Sequence, residues 1–283
     1  MRNSETAQSK IKVSVIISTY NRAEQLKKAV FSVQKQTVDN IEILVCDDGS
    51  TDATRIVVEE IAKNDSRVIY INCGHGGRPA VPRNIGIRQA KGEWLAFLDD
   101  DDVWNPVKLE AQLHELNKHN AKACCTNAFI YEAGNNTGKR YFEGLVDTEY
   151  SFRNIIRVNP VIHSSMMIHS SLIAECKGFP EDENHRAIED YGLWYRVAGY
   201  TKIVYMNQPL IGYLMTSSSS IRKQKVLTFD EQKAIIEKGF SEWLKDKKIS
   251  IRIYYLCELC LCKFDCVLQN LKDKLWKLIK WSL

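Results

Sequence analysis

The sequence predicts an α/β fold with a mostly parallel central sheet flanked by helices, ending in a helical extension. Three observations predict it. Short, β-branched apolar runs alternate with amphipathic segments, the connections between them are short, and polar residues collect where the apolar runs stop. In such sheets ligands bind beyond the carboxyl ends of the strands.

Residues 11–18 (IKVSVIIS) are apolar enough for a strand buried on both faces. Asn21, with Glu24 three residues on, is expected to cap the first helix, whose Leu26, Ala29, Val30 and Val33 recur at helical spacing. Residues 41–46 (IEILVC) form the second strand and run into Asp47-Asp48-Gly49. Ser50 or Thr51 is expected to cap the next helix, with Ile56, Val57 and Ile61 inward. Val68 to Ile71 is a third strand. After a loop from Gly74 to Pro82, Arg83 and Asn84 open a short helix that Gly92 ends. Glu93 to Leu98 is the fourth strand.

That strand ends in four consecutive aspartates, Asp99 to Asp102. Adjacent carboxylates repel one another, and a divalent cation with its preference for hard oxygen ligands is the usual compensation; a solvated loop or an acidic helix start is the alternative. Tyr20, the Asp47-Asp48 pair and the aspartate run therefore sit at three strand ends along one edge. Downstream, Asn105-Pro106 fits a helix start, 121–131 a strand, Gly134 to Gly138 a turn that includes Asn135-Asn136-Thr137, and Val161 to Ile168 a strand. Glu189-Asp190 opens a helix with Leu193, Trp194 and Val197 inward. Ile203 to Met206 and Leu210 to Met215 are short strands, and Thr216 to Ser220 a polar loop.

The 283 residues suffice for one large domain or two small ones, and 45% apolar with 26% charged content is that of a soluble globular protein. A net charge of +4 does not point to nucleic acid. Residues 1–10 form a polar tail without the apolar core of a signal peptide, and no run approaches the about 18 apolar residues of a membrane span. The nine cysteines are then expected to be reduced thiols in a cytoplasmic protein.

The stretches VSVIISTYNR, ILVCDDGSTD, PRNIGIRQAKGEWLAFLDDDDVW and IEDYGLWYRVA together resemble the family 2 glycosyltransferases over roughly residues 11–217. The resemblance implies a glycosyltransferase A fold, with 11–220 catalytic. Residues 11–104 would be a Rossmann-like half binding the nucleotide sugar, 105–220 the acceptor-binding half, and 221–283 a basic helical extension. It implies an inverting enzyme with a nucleotide-diphosphate sugar donor, a carbohydrate or lipid-linked acceptor, and Mn2+ or Mg2+ as cofactor. Cell-surface polysaccharide or lipopolysaccharide assembly is the expected setting, by analogy alone. Ser18 and Tyr20 would line the nucleotide pocket, Asp47 with Asp48 would contact the base, and Arg83 and Asn84 would lie near the donor. Asp101 would bind the metal, and Asp99 or Asp100 the ribose or sugar, with Asp99 a second metal candidate. Asp190 matches the general base. Many relatives carry a histidine after the last short strand that can reach the metal. Here the matching stretch is Tyr213-Leu214-Met215-Thr216, so coordination would rest on aspartates, diphosphate and water.

Each residue also has a plainer reading. Asp190 suits a helix N-cap, Asp47-Asp48-Gly49 a turn, Tyr20 a half-buried aromatic, Arg83 an ion pair, Trp104 packing, and His163 either a core position or an acceptor contact. Cys257, Cys260, Cys262 and Cys266 lie in one helical stretch, which fits small buried hydrophobes better than the paired knuckles of zinc sites. Residues 264–283 form a basic amphipathic helix that suits an anionic membrane surface, peripheral on the inner face of the cell membrane; packing on the protein or a dimer contact is the alternative. Two other functions remain open: a sugar-phosphate nucleotidyltransferase, which would release pyrophosphate, and an inactive nucleotide- or carbohydrate-binding module.

Overall fold

The computed structural model describes residues 11–132, 134–215, 227–249 and 251–261. The polar tail, the 216–220 loop, Cys262, Cys266 and the amphipathic stretch 264–283 lie outside them. The first half follows the sequence closely. It runs β1 (Val13–Thr19), α1 (Ala23–Gln34), β2 (Ile41–Asp47), α2 (Thr54–Asn64), β3 (Val68–Asn72), α3 (Ala80–Gln89) and β4 (Trp94–Asp99). The four strands are parallel in the order β3-β2-β1-β4. Every residue of β1 and β2 is buried, as expected of strands covered on both faces. Ile16 faces one core layer and Val15 and Ile17 the other, the alternation of a pleated strand.

The second half contains β5 (Val103–Trp104), α4 (Lys108–Lys118), β6 (Ala123–Glu132), β7 (Asn135–Arg140), β8 (Thr148–Tyr150), α5 (Phe152–Arg157), β9 (Met167–His169), α6 (Ser171–Cys176), α7 (Glu189–Ala198) and β10 (Ile203–Leu214). β9 joins the halves, antiparallel to both β4 and β6. β10 runs parallel to β6, and β5 is antiparallel on β10. The sheet is thus mixed beyond β4. α8 (Phe229–Leu244) follows, and residues 251–261 are helical. Phe240 packs against Tyr195 and Tyr255, with ring centroids 5.0 and 5.6 Å away. The described part of the extension therefore shares the core of the second half.

Several local expectations are corrected. Asn21 does not cap α1. It adopts a left-handed backbone (φ 52°), which Asn tolerates, and its side chain accepts from Thr51 N (2.7 Å) and Asp52 N (3.3 Å). Asp52 in return accepts from Ala23 N (3.2 Å) and Thr54 N (2.9 Å), so Asp52 serves the starts of both helices and neither Ser50 nor Thr51 does. Ile56 points outward, and Thr54 and Val58 are the buried residues of α2. α3 begins before Arg83. Gly92 does not end it: its hydrogen faces the backbone of Ser14, where a Cβ would sit 2.4 Å from Ser14 N. Helix α4 starts after Val107, and Asn105 instead accepts from Val107 N (3.2 Å). The segment Gly134 to Gly138 includes the first half of β7 rather than only a turn. His163–Ser165 is a 3-10 turn that breaks the strand expected across Val161 to Ile168. Residues 203–214 form one strand with irregular register around Pro209. Cys257 and Cys260 are exposed rather than buried.

Candidate active site at the strand ends

The parallel register lines up the candidate residues. Ser18 pairs with Asp99 across β1 and β4, and Thr19 pairs with Asp47 across β1 and β2. Tyr20, next in the chain, is 45% exposed, and its ring lies 5.0 Å from that of His75. Asp48 accepts from Gly76 N (2.6 Å) and Gly77 N (3.0 Å), which folds the loop after β3 back onto β2. Asp47 is fully buried and accepts from Ser50 N (2.9 Å), Ser50 Oγ (2.6 Å) and Tyr70 OH (2.8 Å). Burial and that contact push the Tyr70 phenol up to about 12. Asp47 thus builds the turn after β2 and ties it to β3.

The aspartate run divides its work. Asp102 is buried and accepts from Ser164 Oγ (2.5 Å) and Leu214 N (3.0 Å), tying the loop to the 163–165 turn and to the end of β10. Ser164 Oγ also accepts from Asp99 N (3.1 Å), and Trp104 Nε1 donates to Ser164 O (2.8 Å). Trp104 is therefore more than packing. Asp100 accepts from Thr19 Oγ1 (2.8 Å), and Arg22 Nη1 reaches Asp100 at 2.9 Å and Asp101 at 2.8 Å. Burial raises the Asp100 carboxyl to about 6 against the pull of Arg22. Burial, and then the charge of Asp99, raise that of Asp101.

Arg83 spans the site. Its side chain is buried, and it pairs with Asp99 (2.7 Å) on one side and Glu189 (2.7 Å) on the other. Burial opposes its charge, but Asp99, Glu189 and Asp190 outweigh that and hold it above the ordinary arginine value. Asp190 lies in the first turn of α7 next to Glu189, and accepts from Tyr191 N at 2.7 Å. It is not the N-cap: that position is Ile188. Asn84 donates to Phe179 O (2.9 Å) and Glu181 (2.7 Å) and accepts from Phe179 N (2.9 Å), so it secures the 179–181 segment. His163 is buried against Phe97, Phe179 and Trp194, with Nε2 3.7 Å from Asp99.

These acids fit a divalent cation. Asp99 and Asp101 keep 32% and 23% of their side chains exposed at the strand end, and their like charges repel. Among the described residues no three His, Cys, Asp or Glu side chains converge on a common point. Magnesium-type ions commonly take one or two carboxylates and complete their shell with phosphate and water. Tyr213, Leu214 and Met215 supply no histidine there; Thr216 lies outside the described residues.

The sequence reading assigned no role to Arg22, Thr19, His75 or Ser164. Arg22 carried a signal, as the one cation in the Thr19–Arg22 segment beyond β1. The polar trio His163-Ser164-Ser165 inside an apolar run was a second.

The chain belongs to glycosyl transferase family 2, whose description matches residues 14–175, over half its length. It is 38% identical over 195 residues to an uncharacterized glycosyltransferase of Rickettsia felis, covering 68% of this chain and 31% of that one. The chain thus spans less than a third of the length of such relatives. It is 40% identical over 127 residues to WfgD of Escherichia coli, a UDP-Glc:alpha-D-GlcNAc-diphosphoundecaprenol beta-1,3-glucosyltransferase, covering 45% of this chain and 49% of that one. The fold matches S. aureus TarS 1-349 in complex with UDP-GlcNAc, with a TM-score of 0.65 at 21% identity over 87% of this chain and 72% of TarS. It also matches the mannosyltransferase PcManGT of Pyrobaculum calidifontis in complex with GDP-Man and Mn2+, with a TM-score of 0.56 at 16% identity over 88% and 80% of the two chains.

Proposed function

We propose that this chain is a metal-dependent, inverting glycosyltransferase that moves a sugar from a nucleoside-diphosphate donor to a carbohydrate acceptor carried on a lipid. The observation that carries the reading is the Arg83 bridge. It sets the acids of the metal loop and the Glu189-Asp190 pair one side chain apart, on either side of a single guanidinium. Tyr20 offers its exposed ring to the base, and Ser18, Asp47 and Asp48 shape the floor beside it. Asp99 and Asp101 would hold the cation, and Asp100 or Asp99 would face the ribose or sugar. The cation, when bound, neutralises the charge that develops on the departing diphosphate. Asp190 takes the proton of the acceptor hydroxyl as that oxygen attacks the anomeric carbon. The attack comes from the face opposite the diphosphate, so the configuration inverts, as with the base of an inverting glycosidase. The bond to the diphosphate breaks and nucleoside diphosphate leaves. The lipid-linked acceptor and β linkage named for WfgD, and the UDP-GlcNAc and Mn2+ named for the two solved structures, support these assignments.

Asp190→Asn keeps the shape and removes the base. Turnover is expected to fall by about 10²–10⁴-fold, while calorimetry finds donor binding close to wild type. Undiminished turnover removes Asp190 from the mechanism, and release of pyrophosphate in place of nucleoside diphosphate would make the enzyme a nucleotidyltransferase.

The same reading places the protein peripherally on the inner face of the membrane. Ile249, Ile253, Tyr254 and Leu256 are exposed beside exposed Lys245 and Lys248, the pairing of apolar and basic groups that favours an anionic lipid surface. Those groups only supplement the basic stretch 264–283, so truncation after residue 262 is expected to shift the protein from sedimenting with anionic vesicles to the supernatant. Equal sedimentation of both forms would sink the role of residues 263–283.

A further inference from the structure

Arg22 is placed where a bound cation would be useful. One nitrogen, Nη1, lies 2.9 Å from Asp100 and 2.8 Å from Asp101, so the two hydrogens of a single NH2 group bridge two adjacent carboxylates of the metal loop. The Arg22 side chain is 26% exposed and so borders solvent. It starts from the N-cap position of α1, directly after the left-handed Asn21 that the 50–52 loop secures, so its backbone is anchored while its side chain is long. Asp100 has a second partner in Thr19 and would keep it if Arg22 left. Among the described residues the side-chain partner of Asp101 is Arg22.

We propose that Arg22 is the resident counter-cation of the Asp100–Asp101 pair, that a divalent cation reaches Asp101 only by displacing it, and that the released guanidinium then pairs with the donor diphosphate. This rests on the metal reading above and adds an order to it. Two cations held on one carboxylate lie within a few ångströms and repel each other strongly, so metal alone competes with Arg22 and binds weakly. A diphosphate changes that balance. It gives the metal further oxygens and gives Arg22 an anion that its forked donors match. Metal and nucleotide then favour each other's binding, a coupling that is reciprocal. The catalytic cation would be assembled together with the substrate rather than held in advance.

The test is Mn2+ binding followed by the loss of the free-ion electron paramagnetic resonance signal, with and without UDP, on the full chain. Arg22→Gln is expected to bind Mn2+ alone roughly tenfold more tightly than wild type, because the competing charge is gone. UDP is expected to strengthen Mn2+ binding less in Arg22→Gln than in wild type, because the freed arginine no longer meets the diphosphate. Arg22→Lys, which keeps a charge but loses the fork, is expected to lie between the two and stands in should the glutamine variant fail to fold. Equal or weaker Mn2+ affinity in both variants without UDP, with the UDP effect intact, overturns the role of Arg22 and leaves the metal reading standing. No Mn2+ binding by wild type even with UDP overturns both.

Discussion

Strands β1 to β4 run parallel, and β1 and β2 are buried at every residue. Beyond β9 the sheet changes character: β6 and β10 take antiparallel neighbours and become half-exposed toward their C-terminal ends. The first half collects its acids by topology, since parallel strands end on one edge and their next residues become neighbours. The second half also has parallel strands, β6 and β10, that end on this edge, but it places none of the candidate site residues at their ends. It reaches the site through single long-range contacts: Ser164 to Asp102, Leu214 to Asp102, and Glu189 to Arg83. One half presents a row of residues, and the other grips that row at a few points.

Those grips should therefore be costly to remove. Arg83→Met keeps bulk and removes the charge, stranding Glu189 without its cation and leaving Asp99 beside a neutral chain. Breaking a buried pair in this way costs about 3–5 kcal/mol, and urea denaturation followed by circular dichroism should show a loss of that size. Transfer activity should fall with it, because the two halves lose their common cation. A loss under about 1 kcal/mol, the range of a surface pair, would mean that the Arg83 pairs add little to the β9 ladder and the shared core that already join the halves.

The same contrast governs what could be read from the sequence. Apolar runs, strand ends and the clustering of acids are local signals, and β1 to β4 with Ser18, Tyr20, Asp47 and Asp99 lie where those signals put them. The capping of α1 and α2 was misread because Asn21 and Asp52 exchange partners across 31 residues, and no local pattern records that exchange. The strand expected through His163 failed for a related reason: Ser164 turns inward to satisfy Asp102 and the Asp99 amide, and a polar residue so used breaks the run around it. Glu189 was visible as the neighbour of Asp190, but its partner Arg83 lies 106 residues away. Pairing across such a distance follows from the fold and not from spacing.

Two glycines test the contrast on a finer scale, one in each half. Gly92 precedes β4 and donates to Ser14 Oγ (2.8 Å), and an added Cβ would lie 2.4 Å from Ser14 N and 2.8 Å from Trp94 O. These are backbone atoms of paired parallel strands, which cannot rotate away. Gly92→Ala is expected to lower stability by about 3 kcal/mol, the upper end of the range for overpacking. Gly138 lies in β7 at φ +75°, and nothing stands within 4 Å of the place its Cβ would take. Gly138→Ala meets only the left-handed backbone penalty, about 1 kcal/mol, which a hairpin at the sheet margin can partly relax. Paired urea titrations give both numbers. Equal losses would show that the β7 hairpin is as tightly determined as the parallel strands. A loss at Gly92 at least twice that at Gly138 is what a rigid first half and a more tolerant second half require.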